Sequence, residues 1–254
     1  MRAFLAFTKK EWLELLRTGK CTLLLILFAL LGIMNPAIAR LLPRMLEMVS
    51  GSLDDMGLTV SETTVDALTS WVQFYKNIPM GLLIFLLLFG GILTTEYQSG
   101  TLVNMLTKGL KRWKVILAKA SIMLITWTLC YWLCFGITYG YNQYFWDNNI
   151  AEHLFFAAFC IYLAGFWMIS LILLTSVVFT ANSSVFIATG GVILITYLAG
   201  LFPKITDYLP MYLFHASELL TGMGNPGDYL HAICITFGFS AVSLHLSVIL
   251  FNRK

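Results

Sequence analysis

The feature that most constrains this chain is a set of six uninterrupted apolar runs, at residues 21–39, 78–95, 115–141, 154–179, 185–203 and 230–251. Only one formal charge, Lys119, falls inside any of them. A helix needs about 20 apolar residues to cross the hydrocarbon core of a bilayer. Inside that core every backbone N–H and C=O must be satisfied without water, which leaves helices and closed barrels. The runs are continuous and do not alternate, so a β-barrel is excluded. Charged residues make up 11% of the chain, against roughly 25% in soluble domains. A water-soluble globule could not cover its surface with so few, and a composition that is 59% hydrophobic excludes disorder. The five cysteines all lie in or beside apolar runs and read as small buried hydrophobes, not as a disulfide framework. The expected fold is all-α: one polytopic domain over residues 1–254 with six transmembrane helices, the first a retained span and not a signal peptide.

Six crossings return the chain to the side where it began, and charge distinguishes the two sides. The termini, the 96–119 segment and the 180–184 turn carry 12 of the 16 basic residues. Arg40, Arg44, Lys76 and Lys204 lie on the other side. Acidic residues run the opposite way: only Glu11, Glu14 and Glu96 share the basic side. The excess of Lys and Arg marks the cytoplasmic face, so both termini are expected in the cytoplasm of a multi-pass cell-membrane protein.

The segments between spans differ in length. Residues 1–20 form a candidate interfacial helix, with Phe4, Leu5, Trp12, Leu15 and Leu16 on an apolar arc and Lys10, Glu11, Glu14 and Arg17 opposite. Phe7 is the one aromatic on the polar arc. The large external loop 40–77 holds two amphipathic stretches around a turn at 51–57. One carries Leu41, Met45, Met48 and Val49, the other Val60, Leu68, Trp71, Val72 and Tyr75; both are expected to lie at the outer interface. The 204–229 loop, with Pro210, Pro226 and three glycines, reads as irregular or re-entrant.

Catalytic sets are missing from the sequence. It contains no H-E-x-x-H pair, no G-x-S-x-G elbow and no G-x-x-x-x-G-K-[ST] phosphate loop. No span holds two carboxylates, and spans free of acidic residues do not suit a proton-coupled carrier. His245, deep in the sixth run, is expected to be a neutral imidazole bonded to a nearby hydroxyl. His215, Glu218, Asp228 and His231 lack the spacing of a zinc site and read as a solvated loop face. The chain is therefore not expected to be an enzyme, and it offers neither a metal site nor a nucleic-acid surface.

The most informative segment begins where the second run ends: Thr94-Thr95-Glu96-Tyr97-Gln98-Ser99-Gly100-Thr101-Leu102, followed by Lys108, Lys111, Arg112, Trp113 and Lys119. A carboxylate closes the span, Gly100 offers a hinge, and Thr101 is a plausible N-cap. Leu102, Leu106, Leu110, Trp113 and Leu117 then recur every three or four residues, as on one helix face. Two readings of Glu96 stand: a carboxylate solvated at the interface, or one paired with a basic residue of the same region such as Arg112 or Lys119.

This segment resembles the E-x-x-x-G-T-[LI] pattern of ABC-2 type transporter permeases, the membrane subunits of a class of ATP-binding-cassette exporters. In that family the pattern opens a cytoplasmic coupling helix between spans two and three. Phe7-Thr8-Lys9-Lys10-Glu11-Trp12 and Gly32-Ile33-Met34-Asn35-Pro36 further resemble the small permeases of Gram-positive bacteria. Those are linked with peptide export, lantibiotic self-protection or multicopper-enzyme maturation. The resemblance implies a coupling region at 96–114 and contacts to an ATPase through Phe7, Glu96, Gly100, Thr101, Lys108, Lys111 and Arg112. It also implies two copies of a separate ATPase subunit that binds ATP and Mg, a second permease subunit forming a homodimer or related heterodimer, and contact with membrane lipid. The expected cargo is hydrophobic or amphipathic, with a lantibiotic-like peptide favoured over a lipid or drug; a non-transport scaffold or sensor is the rival class.

Overall fold

The structure is a computed structural model and describes residues 2–54, 66–107 and 109–253. The expected turn at 51–57 runs partly, and Val60 and Lys108 entirely, outside the described residues, as do the side chains of Met45, Met48 and Val49. Among the described residues all regular structure is helical. The α-helices are α1 (Arg2–Arg17), α2 (Lys20–Asp54), α3 (Ala67–Phe89), α4 (Thr94–Gln98), α5 (Thr101–Thr107), α6 (Arg112–Phe145), α7 (Leu154–Val178), α8 (Asn182–Ala199), α9 (Pro203–Thr206) and α10 (Tyr229–Arg253). Six helical segments are long and apolar enough to cross a membrane: Lys20–Leu42, Ala67–Gln98, Arg112–Phe145, Leu154–Val178, Asn182–Ala199 and Pro226–Arg253.

Both termini lie at one end of the bundle. Phe7 from α1, Leu102 from α5, Val115 from α6 and Phe251 from α10 share a small apolar cluster there. The opposite, far end is closed by a cap. A 3₁₀ helix, Pro210–Thr221, buries Leu213, Ala216, Leu219 and Leu220 over α7 and α10. Backbone and side-chain bonds tie the cap down, from Glu152 N–H to the Leu220 carbonyl and from the Tyr229 hydroxyl to the His215 carbonyl. The 204–229 loop is thus an ordered lid of short turns.

Two expectations for the 40–77 loop change. The helix α2 runs on to Asp54, because the charges that end the apolar run at Ala39 do not end the helix; Leu, Arg, Met and Glu are all good helix formers. The second stretch is not a surface helix either. Asp66 caps α3 by accepting from the Thr69 N–H at 3.1 Å, and the helix enters the core directly. Trp71 and Phe74 are fully buried, packed against Phe135 of α6. The Trp71 indole donates to Asn148 at 3.0 Å. A buried indole N–H needs a partner, and that partner draws this stretch inward.

Polar side chains join helices where apolar burial cannot. In a bilayer the lipid is as apolar as leucine, so close packing and interhelical hydrogen bonds associate spans. Asn77 of α3 donates to Asn35 of α2 at 2.7 Å, and Asn35 donates to Thr138 of α6 at 3.0 Å. Thr138 donates in turn to the Gly32 carbonyl at 3.1 Å. Farther along, the α7 backbone meets an indole: a Cβ on Gly165 would stand 2.3 Å from the Trp127 ring. Trp127 cannot step aside, since it is fully buried and donates to the Tyr162 carbonyl at 3.1 Å.

The peripheral helices are α8 and α10. Ile187, Leu194 and Ile195 of α8 stand open, as do Phe237 and Val242 of α10. His245 also faces outward. Among the described residues it makes no bond to a neighbouring hydroxyl: Ser243 is buried on the opposite face, and the Ser247 hydroxyl donates to the Ser243 carbonyl.

The α6–α7 contact yields a stability test. Gly165→Val should lower the melting temperature of the purified protein in detergent, with an overpacking cost of about 1–3 kcal/mol. Gly238→Val, on α10 with open space around its Cβ position, should leave it nearly unchanged. Equal melting of the two variants would refute the Gly165–Trp127 packing argument.

Candidate functional site

Lys119 sets the site. It is the one charge inside an apolar run, and it is 1% exposed. An ammonium so far from water persists only beside carboxylates. The basic end has three acidic residues, Glu11, Glu14 and Glu96, and all three converge here. The Lys119 Nζ lies 2.9 Å from Glu11 Oε2 and 2.9 Å from Glu96 Oε2. Lys10 Nζ closes the figure at 2.9 Å from Glu11 Oε1 and 3.1 Å from Glu96 Oε1. Two ammonium groups and two carboxylates alternate in a neutral ring joining α1, α4 and α6. Glu14 reaches Lys10 from the open side at 2.6 Å. The three carboxylates come within 4.8 Å of one another, a grouping that could hold a metal ion, but the Lys10 ammonium stands among them.

Phe7 lies over this ring, its centroid 5.7 Å from Lys10 Nζ and 6.0 Å from Lys119 Nζ, within cation–π range. It is 6% exposed. The Phe7 ring, expected as a possible anchor for a partner, packs within the chain against both ammonium groups. The orientation of α1 changes with it. Phe7, Glu11 and Leu15, one turn apart, form the inward face, while Leu5, Leu13 and Leu16 are exposed. The demand of Lys119 for a countercharge outweighs the apolar arc.

The second span breaks just before Glu96. Residues 90–93 form turns between α3 and α4. Such a break frees backbone carbonyls, which must find partners. Lys20 Nζ donates to the Leu88 carbonyl at 3.3 Å, and the Ser176 hydroxyl to that of Gly90 at 3.5 Å. Two bonds hold α4 to the α7–α8 turn: Thr94 pairs with the Asn182 side chain, and Gln98 donates to the Thr180 carbonyl at 3.2 Å.

After Gln98 the chain leaves the bundle. Gly100 turns it with φ +68°, and Gly109 turns it back with φ +87°, both left-handed conformations that favour glycine. Between them, α5 has only seven residues. The expected single face from Leu102 to Leu117 is therefore divided: Leu102 is buried on α5, while Trp113 and Leu117 belong to α6. Thr101 is the first residue of α5, with its hydroxyl 3.0 Å from that of Ser99. Lys111 is exposed. Arg112, expected beside Glu96 or a partner, instead donates to the Phe251 carbonyl at 3.1 Å, where a cation suits the C-terminal end of α10. Of the two partners expected for Glu96, the structure selects Lys119.

Of the expected residues, Phe7 and Glu96 meet at the ring, and Gly100, Thr101, Lys111 and Arg112 frame the excursion that follows. Sequence reasoning missed Lys10 and Glu11. The signal was present: a buried lysine needs carboxylates, and the basic side offered three. A cavity of about 300 Å³ opens beside the ring, reaching Thr18, Lys20, Phe89, Ser99 and Thr101. Compared with protein-family models, curated proteins and solved structures, the chain has no match.

The electrostatics carry a defined sign. Burial by itself would raise the Glu11 carboxyl, but the Lys119 charge and the hydrogen bonds from Lys119 and Lys10 hold it below the ordinary 4.5. Burial would lower the Lys10 ammonium, but Glu14, Glu11 and Glu96 lift it above the ordinary 10.5. A depressed carboxyl contributes stability above its unfolded pKa and loses it as pH falls through the folded one. A raised ammonium contributes fully below its unfolded pKa. Glu11 and Lys10 are thus both charged at neutral pH, and thermal stability in detergent should fall as pH drops below about 4.5.

Breaking the ring from its buried side should be costly. Lys119→Met leaves two buried carboxylates sharing the single Lys10 ammonium, and removing one member of a buried pair costs about 3–5 kcal/mol. Lys10→Met, at the more open corner, should cost less. Adding Glu11→Gln to Lys119→Met should restore part of the loss in a double-mutant cycle. Additive losses would mean that the two side chains do not interact.

Proposed function

We propose that this chain is the transmembrane permease subunit of an ATP-driven exporter of the ABC-2 type. In this reading the basic end faces the cytoplasm of the cell membrane, and a hydrophobic or amphipathic cargo, with a lantibiotic-like peptide favoured, leaves the cell or the membrane. ATP and Mg bind to two copies of a separate ATPase, and two permease subunits form the membrane unit. The observation that carries the reading is the construction at the foot of the second span. Glu96 is locked to α1 and α6, and the next residues turn outward at Gly100 into the short helix α5. A push on α5 would be carried by a rigid ionic ring to the first helix and the third span together. The turn at 90–93 supplies a joint between this unit and α3. Apolar, aromatic-rich helices suit a cargo of similar character.

The coupling excursion provides the test. Gly100 has a left-handed backbone, and a Cβ there meets nothing within 4 Å. Valine would be disfavoured through backbone strain of about 1–3 kcal/mol with no clash and no change of charge. Gly100→Val should leave the permease in the membrane and bound to its ATPase while lowering substrate-dependent ATP hydrolysis several-fold. Lys108→Gln should have a smaller effect. If α5 is only a membrane anchor, Gly100→Val will hydrolyse ATP normally, and the Lys108 variant will show a loss that anionic lipid reverses. Failure of the chain to co-purify with any ATPase would overturn the assignment itself.

A further inference from the structure

We propose that the groove between α2 and α6 at the far end of the bundle binds an anionic phospholipid, with Arg40 holding the phosphate and the groove wall receiving an acyl chain. The groove measures about 420 Å³ and is lined by Ile33, Pro36, Ala37, Arg40, Tyr141 and Phe145. The Arg40 guanidinium lies 4.4 Å above the Phe145 ring. Such stacking orients the guanidinium plane and leaves its N–H edge free. No carboxylate among the described residues forms an ion pair with Arg40.

Depth argues for a lipid. At about 1.5 Å per residue, Arg40 stands roughly 30 Å along α2 from Lys20, and Tyr141 roughly 33 Å along α6 from Lys119. That separation matches the thickness of the hydrocarbon core. Arg40 therefore sits where acyl chains give way to headgroups, beside Tyr141 and Phe145; tyrosine is enriched at this boundary. A guanidinium with no carboxylate partner among the described residues is matched at that level by a phosphodiester, whose two free oxygens accept a bidentate pair. Towards the bundle centre the wall becomes apolar, through Ala37, Pro36 and Ile33. Free phosphate would use Arg40 and leave that wall uncovered. A zwitterionic lipid brings its own cation to the phosphate, whereas an anionic one leaves a full charge for Arg40. The inference requires only that the six helices cross a bilayer, and it stands apart from the transport reading.

Native mass spectrometry of the purified full chain, offered an equimolar mixture of phosphatidylglycerol and phosphatidylcholine, tests this. The wild type should retain one phosphatidylglycerol with at least a fivefold preference. Arg40→Gln should bring the ratio close to one. Arg40→Lys should fall between, because it keeps the charge and loses the planar fork. Ala37→Trp, which fills the groove without altering charge, should lower occupancy by both lipids. Melting temperature checks that each variant is folded, and the Arg40→Lys and Ala37→Trp results stand even if Arg40→Gln is not. The proposal fails if Arg40→Gln keeps the wild-type preference. It fails also if Lys204→Gln, at the same end, reduces the preference equally, which would indicate diffuse surface charge. Displacement of the lipid by millimolar inorganic phosphate would likewise overturn it, by assigning the site to a free anion.

Discussion

A single buried ammonium organises the basic end of this protein. Lys119 lies inside the third apolar run, where an uncompensated charge could not persist. Its two carboxylate partners come from the first helix and from the foot of the second span, 108 residues away for Glu11. Three elements distant in sequence are thereby fixed together, and each then positions something else. The first helix turns its Phe7–Glu11–Leu15 face inward. The fourth helix is held at an angle that lets Gly100 direct the chain outward. The sixth helix begins close enough to the C-terminus for Arg112 to meet the last carbonyls of α10.

The two ends of the bundle use different physics. The basic end is joined by charge, with Lys20 and Ser176 serving the carbonyls freed where the second span unwinds. The far end is joined by aromatic packing and neutral hydrogen bonds, among them Trp71 to Asn148 and Tyr229 to the His215 carbonyl. Between them, the Asn77–Asn35–Thr138 chain ties α2, α3 and α6 at depth. The unwound stretch at 90–93 opens at lower cost than an interdigitated aromatic core, because fewer apolar contacts are lost. Motion is therefore expected to concentrate at the turn at 90–93, next to the proposed coupling excursion.

Much of the candidate site was legible before any coordinates. Glu96 stood out because a carboxylate directly follows an apolar span, and Lys119 because it lies within one. Gly100 was marked by the turn the chain must make on leaving the second span. Glu11 was placed on the solvated face because a helical wheel weighs hydrophobicity alone, and a charge with a buried partner does not belong to that face. Arg112 was one of two partners open to Glu96; the end of α10 that it meets instead lies 139 residues on.

The number of apolar helices and the side holding the basic residues follow from local composition, because the cost of burying charge and bare backbone in hydrocarbon acts on each segment separately. The continuation of α2 past Ala39 and the start of α3 at Ala67 followed from propensity and capping and were not marked by hydropathy. Which face of α1 turns inward, which lysine answers Glu96, and whether Trp71 lies in the core or on the surface were decided by tertiary structure alone. Those choices depend on pairing between groups scores of residues apart. In a protein interior the energy of an ion pair or a buried indole bond is realised only when both partners arrive, and nothing in either segment by itself encodes the meeting.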